Sequence, residues 1–242
     1  MKRQRVATGV QGLDKMLKGG LLPETVVLLR GAPGTGKTSL AFQFLIEGAK
    51  QDEPGLFITF EEFPEALYRD AESLGLDLRS LERAGKLHIV FTSPEVLLKS
   101  LQNPSSDLYE MLLEADVQRA ALDSATHFTR MTSDPFELRN LYTSLINSLR
   151  RDGITTLLLS EERRIDYKRT APGALSFLVD GIILMRYVEV ESQIQRAIAV
   201  LKLRGSDHDR RIRHYHIEEG GLVVEDPFQG RQGILSGISH RV

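Results

Sequence analysis

The chain has 242 residues, no cysteine and a formal net charge of −2, from 31 basic and 33 acidic side chains. This length is typical of one large domain, or of one domain with a tail, and it can bury a substantial core. The lack of cysteine excludes disulfides and thiolate metal sites. Because the charge is near zero, any nucleic-acid site must be a local patch rather than a property of the whole surface.

The sequence gives no sign of a membrane or secretory segment. Residues 1–5 are basic, but no apolar segment follows them, so we expect no secretory signal. No apolar run approaches the roughly 18 residues that a transmembrane helix needs. We therefore expect a cytoplasmic protein without a membrane partner.

Residues 31–38, with the sequence GAPGTGKT, are the strongest motif in the chain. An apolar segment at 26–29 precedes them and apolar residues at helical spacing follow, which is the strand, turn and helix of a P-loop. In such a loop the backbone N–H groups form an anion-binding nest at the positive end of a helix dipole. The predicted nucleotide-binding residues are Pro33, Gly34, Thr35, Gly36, Lys37, Thr38 and Ser39.

Two side chains of this loop have predicted chemical roles. Lys37 is expected to reach the β- and γ-phosphates, and the Thr38 hydroxyl is expected to hold Mg²⁺. The predicted cofactors are therefore ATP and Mg²⁺.

The order of apolar segments predicts the fold class. Four further buried strands are predicted at residues 56–60, 87–91, 117–122 and 154–159. Helical patterns alternate with them, which favours a mostly parallel sheet with helices on both faces.

The pattern changes after residue 180. Residues 180–190, 197–204 and 212–217 are predicted strands with no helices between them, and Gly220-Gly221 is a predicted hairpin turn. We therefore expect an α/β fold whose mostly parallel central sheet carries a C-terminal antiparallel β extension. Residues 1–225 are predicted to form the domain, and residues 226–242 an arm or tail.

Acidic residues follow two of the predicted strands. Ligands of an open α/β sheet lie beyond the carboxyl ends of its strands. Asp123 ends one apolar strand and is the predicted Walker B residue, which would hold Mg²⁺ directly or through water. Glu61 and Glu62 follow another strand, and in extended geometry only one of them would face the phosphates. A solvated charged turn is the alternative for this pair.

Several motifs occur together in a fixed order. They are TGVQGLD at 8–14 with Gly19-Gly20, the P-loop, FEE at 60–62, LDS at 122–124 and LKLRGS at 201–206. Their combination resembles a single KaiC-type ATPase domain of the RecA superfamily over nearly the whole chain. The resemblance implies a three-layer, RecA-like P-loop NTPase fold.

The resemblance also implies roles that spacing alone does not show. Glu61 and Glu62 stand where the family has tandem glutamates that activate water. Lys202 and Arg204 stand where the family has cations that reach the γ-phosphate of a neighbouring subunit's ATP, within ring hexamers that bind nucleotide at their interfaces. With Lys37, these four are the predicted catalytic residues. A solvated edge-strand face is the alternative for Lys202 and Arg204.

Two departures from the family pattern bear on function. KaiC itself carries two such domains in tandem and this chain carries one, so a clock function does not follow. Where one KaiC domain has adjacent phosphorylated Ser and Thr, this sequence has Ser176 beside Phe177. Half of that pair is missing.

Three functions remain open from the sequence. The first is Mg²⁺-dependent ATP binding and slow hydrolysis by a homo-oligomer, expected to be a ring hexamer, that signals to an unidentified regulatory protein. The second is a recombinase paralogue that binds DNA through residues 163–169, whose four cations and one tyrosine suit phosphates and a stacked base. The same charges would also suit intersubunit ion pairs. The third is a nucleotide-dependent switch with little turnover, or an autokinase acting at Ser176.

Overall fold

The computed structural model describes residues 4–162, 174–232 and 240–241. Nine of its strands form one sheet and two more form a short antiparallel pair. In chain order the strands are β1 (Val26–Gly31), β2 (Gly55–Thr59), β3 (Leu87–Phe91), β4 (Arg119–Asp123), β5 (Thr155–Glu161), β6 (Gly181–Val190), β7 (Gln193–Leu203), β8 (Arg213–Glu218), β9 (Gly221–Pro227), β10 (Arg231–Gln232) and β11 (His240–Arg241).

The sheet has a parallel part and an antiparallel part. Its strand order is β3-β2-β4-β5-β1-β6-β7-β8-β9. All pairings from β3 to β6 are parallel, and those from β6 to β9 are antiparallel. This confirms the predicted mostly parallel sheet with a C-terminal antiparallel extension. The strand that precedes the P-loop, β1, is separated from β4 by β5.

Helices connect the parallel strands. In chain order they are α1 (Leu13–Met16), α2 (Lys37–Lys50), α3 (Pro64–Glu72), α4 (Leu78–Arg83), α5 (Pro94–Gln102), α6 (Asp107–Glu114), α7 (Pro135–Arg151) and α8 (Ala174–Leu178), with a 3₁₀ helix over Ala125–Arg130. Local sequence sets several of their starts. The Ser93 and Asp134 side chains accept hydrogen bonds from Val96 and Phe136 N–H groups at the starts of α5 and α7.

The sheet separates two hydrophobic cores. Alternate residues of β1 point to opposite faces, so Val27 and Leu29 lie in one core and Val26 and Leu28 lie in the other. The first core includes the apolar face of α2. The second includes the apolar faces of α5 and α7. These three layers confirm the predicted α/β architecture.

Some element boundaries differ from the sequence-based expectation. The strand predicted at 117–122 begins at Arg119, because the Val117 N–H closes the end of α6 by donating to the Leu112 carbonyl. The strand predicted at 197–204 begins earlier, at Gln193, and forms a long hairpin with β6. The apolar pattern does not indicate α4 or the 3₁₀ helix, which are too short for a helical period to show.

The boundary between a domain at residues 1–225 and an arm at residues 226–242 stays a prediction. The last strand of the main sheet, β9, runs across residue 226, and β10 pairs with β11. Residues 233–239 and 242 of the predicted arm lie outside the described residues. Among the described helices, none combines the length and the apolar character needed to cross a bilayer.

Candidate functional site

The P-loop joins β1 to α2 and depends on glycine at two positions. Gly34 and Gly36 have φ values of 76° and 88°, a region that L-residues with side chains rarely adopt. A Cβ atom at Gly34 would lie 2.7 Å from the Tyr187 hydroxyl oxygen, and one at Gly36 would lie 2.5 Å from Ile217 Cδ1. The loop therefore needs glycine for both its backbone conformation and its packing against the antiparallel extension.

A long-range hydrogen bond anchors the loop from the other side. Thr35 is fully buried, and its Oγ1 donates to the Ala32 carbonyl at 2.8 Å. The Tyr215 hydroxyl, on β8, donates to the Thr35 carbonyl at 2.5 Å. The antiparallel extension thus fixes the turn of the P-loop. Sequence reasoning missed this contact, because 180 residues separate its partners.

Lys37 lies at the first position of α2 and is only 7% exposed. Its Nζ donates to the carbonyl oxygens of Gly31 and Ala32 at 3.1 and 3.0 Å. Burial lowers the pKa of Lys37, while the negative charges of Asp123 and Glu161 oppose that shift. The lysine is therefore a buried donor at the N-terminus of a 14-residue helix, which is where anions bind.

Thr38 and Asp123 meet across the sheet. Thr38 Oγ1 donates to Asp123 Oδ2 at 2.7 Å, although β5 separates the strands that lead to these residues. Burial raises the pKa of Asp123, and the hydrogen bond from Thr38 and the charge of Lys37 oppose the shift. A hydroxyl and a carboxylate are oxygen ligands of the kind Mg²⁺ takes. The donor set therefore fits the predicted metal.

Glu61 and Glu62 follow β2 at the same edge of the sheet, and their carboxylates have opposite pKa shifts. The pKa of Glu61 is lowered, first by its 2.6 Å contact with His127 and also by Arg130. The pKa of Glu62 is raised, first by burial and then by the negative charge of Asp123. The two neighbouring carboxyl groups therefore lie in different electrostatic environments.

These residues line one polar cleft of about 210 Å³. It is lined by Pro33, Gly34, Lys37, Thr38, Thr59, Glu61, Glu62, Asp123, Ser124, His127 and Glu161. The cleft thus brings together the predicted P-loop, metal and glutamate residues. Sequence reasoning did not assign roles to His127, which lies on the unpredicted 3₁₀ helix, or to Glu161, whose place at the end of β5 was a usable signal.

Lys202 and Arg204 lie elsewhere in this chain. Lys202 pairs with Ile182 near the start of β6, and the Arg204 N–H donates to the Asp180 carbonyl. The P-loop instead follows Gly31, at the opposite ends of the parallel strands. Within one chain, the structure therefore does not bring the two cations into the cleft.

Both cations bind the backbone around α8. Lys202 Nζ donates to the carbonyl oxygens of Ser176 and Val179 at 3.0 and 2.6 Å. Arg204 donates to the Phe177 carbonyl at 2.8 Å. Ser176, the residue considered for autophosphorylation, thus lies on the segment that these cations hold. The predicted DNA-contacting segment, residues 163–169, lies outside the described residues.

Comparison with known proteins points to one family. A family model described as "ATPase: KaiC" matches residues 6–228. The chain is 32% identical over 240 residues to the circadian clock oscillator protein KaiC of Picosynechococcus sp., covering 98% of this chain and 46% of that protein. It is 34% identical over 239 residues to the same protein of Thermostichus vulcanus, which covers 98% of this chain and 46% of that protein. It is also 32% identical over 243 residues to the circadian clock protein KaiC3 of Synechocystis sp., which covers 96% of this chain and 46% of that protein. The chain spans about half the length of these relatives.

Replacement of Tyr215 by Phe should loosen the P-loop. The variant leaves the Thr35 carbonyl without its buried donor, which we expect to cost about 1–3 kcal/mol of unfolding free energy and to weaken ATP binding. Tyr109→Phe is the matched control, because it removes a 3.2 Å hydroxyl contact with Asp152 outside the cleft. Denaturant unfolding and equilibrium dialysis with ATP measure the two effects. Unchanged ATP affinity in Tyr215→Phe would contradict the anchoring role.

Proposed function

The chain belongs to the KaiC family of ATPases, and from that premise we propose that it is a Mg²⁺-dependent enzyme that hydrolyses ATP slowly as a homo-oligomer. One observation carries the proposal. A P-loop lysine, a hydroxyl–carboxylate pair and two glutamates with opposite pKa shifts share a single cleft. Phosphoryl transfer to water needs little more than positioned charges, a metal and a group that orients the water.

The P-loop supports binding of a nucleoside triphosphate. The backbone N–H groups of residues 34–39 would hold its phosphates, and Lys37 would supply the buried positive charge. Thr38 and Asp123 would hold Mg²⁺, which when bound neutralises negative charge that develops on the transferred phosphoryl group. Because Lys37 is buried, its electrostatic effect on a phosphate is less screened than that of a surface lysine.

Glu62 is the better of the two candidates for the general base. A general base works best when its pKa lies near the working pH, and burial moves the pKa of Glu62 upward in that direction. Glu61 is a weaker base because contacts with His127 and Arg130 lower its pKa. We therefore propose that Glu62 accepts the proton of the attacking water.

Hydrolysis should then decline as the pH falls through the raised pKa of Glu62, where this carboxylate becomes protonated.

The position of Lys202 and Arg204 favours action on a neighbouring copy. They lie at the edge of the sheet away from their own P-loop. If the γ-phosphate needs these cations, they must come from a second chain, as arginine fingers do when supplied in trans. The cleft that would receive them is lined by Glu61, Glu62 and Glu161.

The face around Lys202 has the character of a contact surface. Phe177, whose carbonyl accepts from Arg204, is 55% exposed, and Leu201, the chain neighbour of Lys202, is 48% exposed. Aromatic and arginine side chains are enriched at protein interfaces. Together with the charge of the opposite cleft, this supports self-association, and the family resemblance favours a ring hexamer.

The biological output is proposed from the same resemblance. The relatives are named as circadian clock proteins, and for this chain we propose only a regulatory switch that signals to a protein partner. A composite site would couple nucleotide state to the geometry of the subunit interface. Slow hydrolysis would then set how long one geometry persists.

Glu62→Gln should reduce turnover about 10²–10⁴-fold, the usual contribution of general base catalysis, and leave ATP affinity nearly unchanged. Glu61→Gln should cost less, about tenfold, because that residue does not accept the proton in this mechanism. Glu110→Gln, on the exposed surface of α6, is the control for loss of a carboxylate. Steady-state hydrolysis and ATP dialysis test the set. Normal turnover in the Glu61→Gln, Glu62→Gln double variant would refute the assignment of both residues.

Mixed oligomers can show whether the cations act in trans. A Lys37→Ala chain keeps Lys202 and Arg204, and a Lys202→Met, Arg204→Met chain keeps its P-loop. Each chain alone should be inactive. Co-expression should restore activity at those interfaces where the intact P-loop of one chain meets the intact Lys202 and Arg204 of the other. In a random equimolar ring that is about a quarter of the interfaces.

The complementation experiment has a clear negative outcome. If Lys202 and Arg204 served the phosphates of their own chain, no mixed interface would contain a complete site. Lack of activity in co-purified mixed oligomers would therefore contradict the proposal. Recovery would also show that the double substitution leaves the P-loop half correctly folded.

A further inference from the structure

His127 connects the end of β4 to the first of the two glutamates. Its Nδ1 lies 3.1 Å from the Ser124 carbonyl oxygen, and its Nε2 lies 2.6 Å from Glu61 Oε1. The side chain is 11% exposed, and Phe60 packs edge-on against the ring with centroids 5.6 Å apart. The ring is therefore held by one aromatic contact and, when both nitrogens carry a proton, by two polar contacts, while it lines the cleft.

Glu61 receives a second contact from the same 3₁₀ helix. Arg130 donates from Nη2 to Oε1 of Glu61 at 3.0 Å, so two nitrogen groups meet a single carboxylate oxygen. The Glu61 side chain is 54% exposed, and without these contacts it would sample several rotamers. The contacts orient its carboxylate toward the 3₁₀ helix.

Glu62 is held differently. Its backbone N–H donates to Thr59 Oγ1 at 3.2 Å, and its carbonyl accepts from the same hydroxyl at 3.0 Å. Within the described part of the chain, no side chain makes a hydrogen bond or ion pair with the Glu62 carboxylate. The two neighbouring glutamates thus differ in what restrains them, since one is bound through its carboxylate and the other through its backbone.

We propose that His127 is a positioning residue that fixes the division of roles between the glutamates. It holds Glu61 as an oriented carboxylate against the 3₁₀ helix and so leaves Glu62 as the group that accepts the proton from water. This inference rests on the proposed ATPase function. The titratable or charged groups that face Glu61 are His127 and Arg130 on the 3₁₀ helix and Glu62 beside it.

The first test separates positioning from substrate contact. His127→Phe keeps a ring of similar size but removes both nitrogens, and it should lower kcat about tenfold with an unchanged KM for ATP. His127→Gln can still donate to Glu61 and should recover most of the rate. His214→Gln is the matched control, because His214 makes a 2.6 Å contact with Glu225 outside the cleft and its loss should leave kcat unchanged.

A double-variant cycle shows whether His127 acts through Glu61. Since both residues belong to one unit, His127→Phe added to Glu61→Gln should cause no further loss of kcat. Full additivity of the two effects would overturn the proposal. A rise in KM with unchanged kcat would also overturn it, because that result would mean that His127 contacts the nucleotide itself.

The second test does not depend on turnover. ¹³C NMR titration of the Glu61 carboxyl group in ATP-free protein reports its pKa, which the contact with His127 holds below the ordinary value. His127→Phe should raise this pKa and His127→Gln should raise it less. An unchanged pKa would refute the contact. If the wild-type protein failed to hydrolyse ATP, the proposed function would fail while this titration still decided whether His127 positions Glu61.

Discussion

The hydrogen bond from Thr38 to Asp123 is the interaction on which the geometry of the cleft depends. It joins the first turn of α2 to the end of β4. The strand that leads into α2 is β1, and β1 and β4 are not neighbours in the sheet. The bond is possible because β5 lies between β1 and β4 and all three strands end at the same edge of the sheet. It brings a half-buried carboxylate near the buried Lys37, so that each group changes the pKa of the other. A site with this arrangement favours a triphosphate and a divalent cation over a neutral ligand.

The antiparallel extension has two consequences for the same cleft. At one end it supports the P-loop, because Tyr215 donates to the Thr35 carbonyl and Ile217 leaves no room for a side chain at Gly36. At the other end it carries Lys202 and Arg204, which hold α8 through backbone carbonyls. One structural unit therefore shapes the site that receives phosphate and also presents the cations proposed for a neighbouring site. This arrangement gives a physical route by which nucleotide binding and subunit contact would affect each other.

The parts of the site that the sequence predicts are those encoded by contiguous residues. The P-loop, Asp123 and the Glu61-Glu62 pair each follow an apolar strand, so their common location at one sheet edge follows from parallel pairing. The contacts that distinguish the two glutamates could not be predicted in this way. They involve His127 and Arg130 on a 3₁₀ helix that is too short for a periodic pattern. The Tyr215–Thr35 bond was equally out of reach, because it joins residues that only the tertiary fold brings together.

We propose that a complete site needs two chains, and the molar mass in solution tests this directly. Light scattering with and without Mg²⁺-ATP would compare the observed mass with the 27.1 kDa of one chain. We predict that nucleotide favours an assembly of several chains, since phosphates in one cleft would attract the Lys202 and Arg204 of the next. A mass of one chain under both conditions would contradict it, because these cations would then have no neighbouring phosphate to meet.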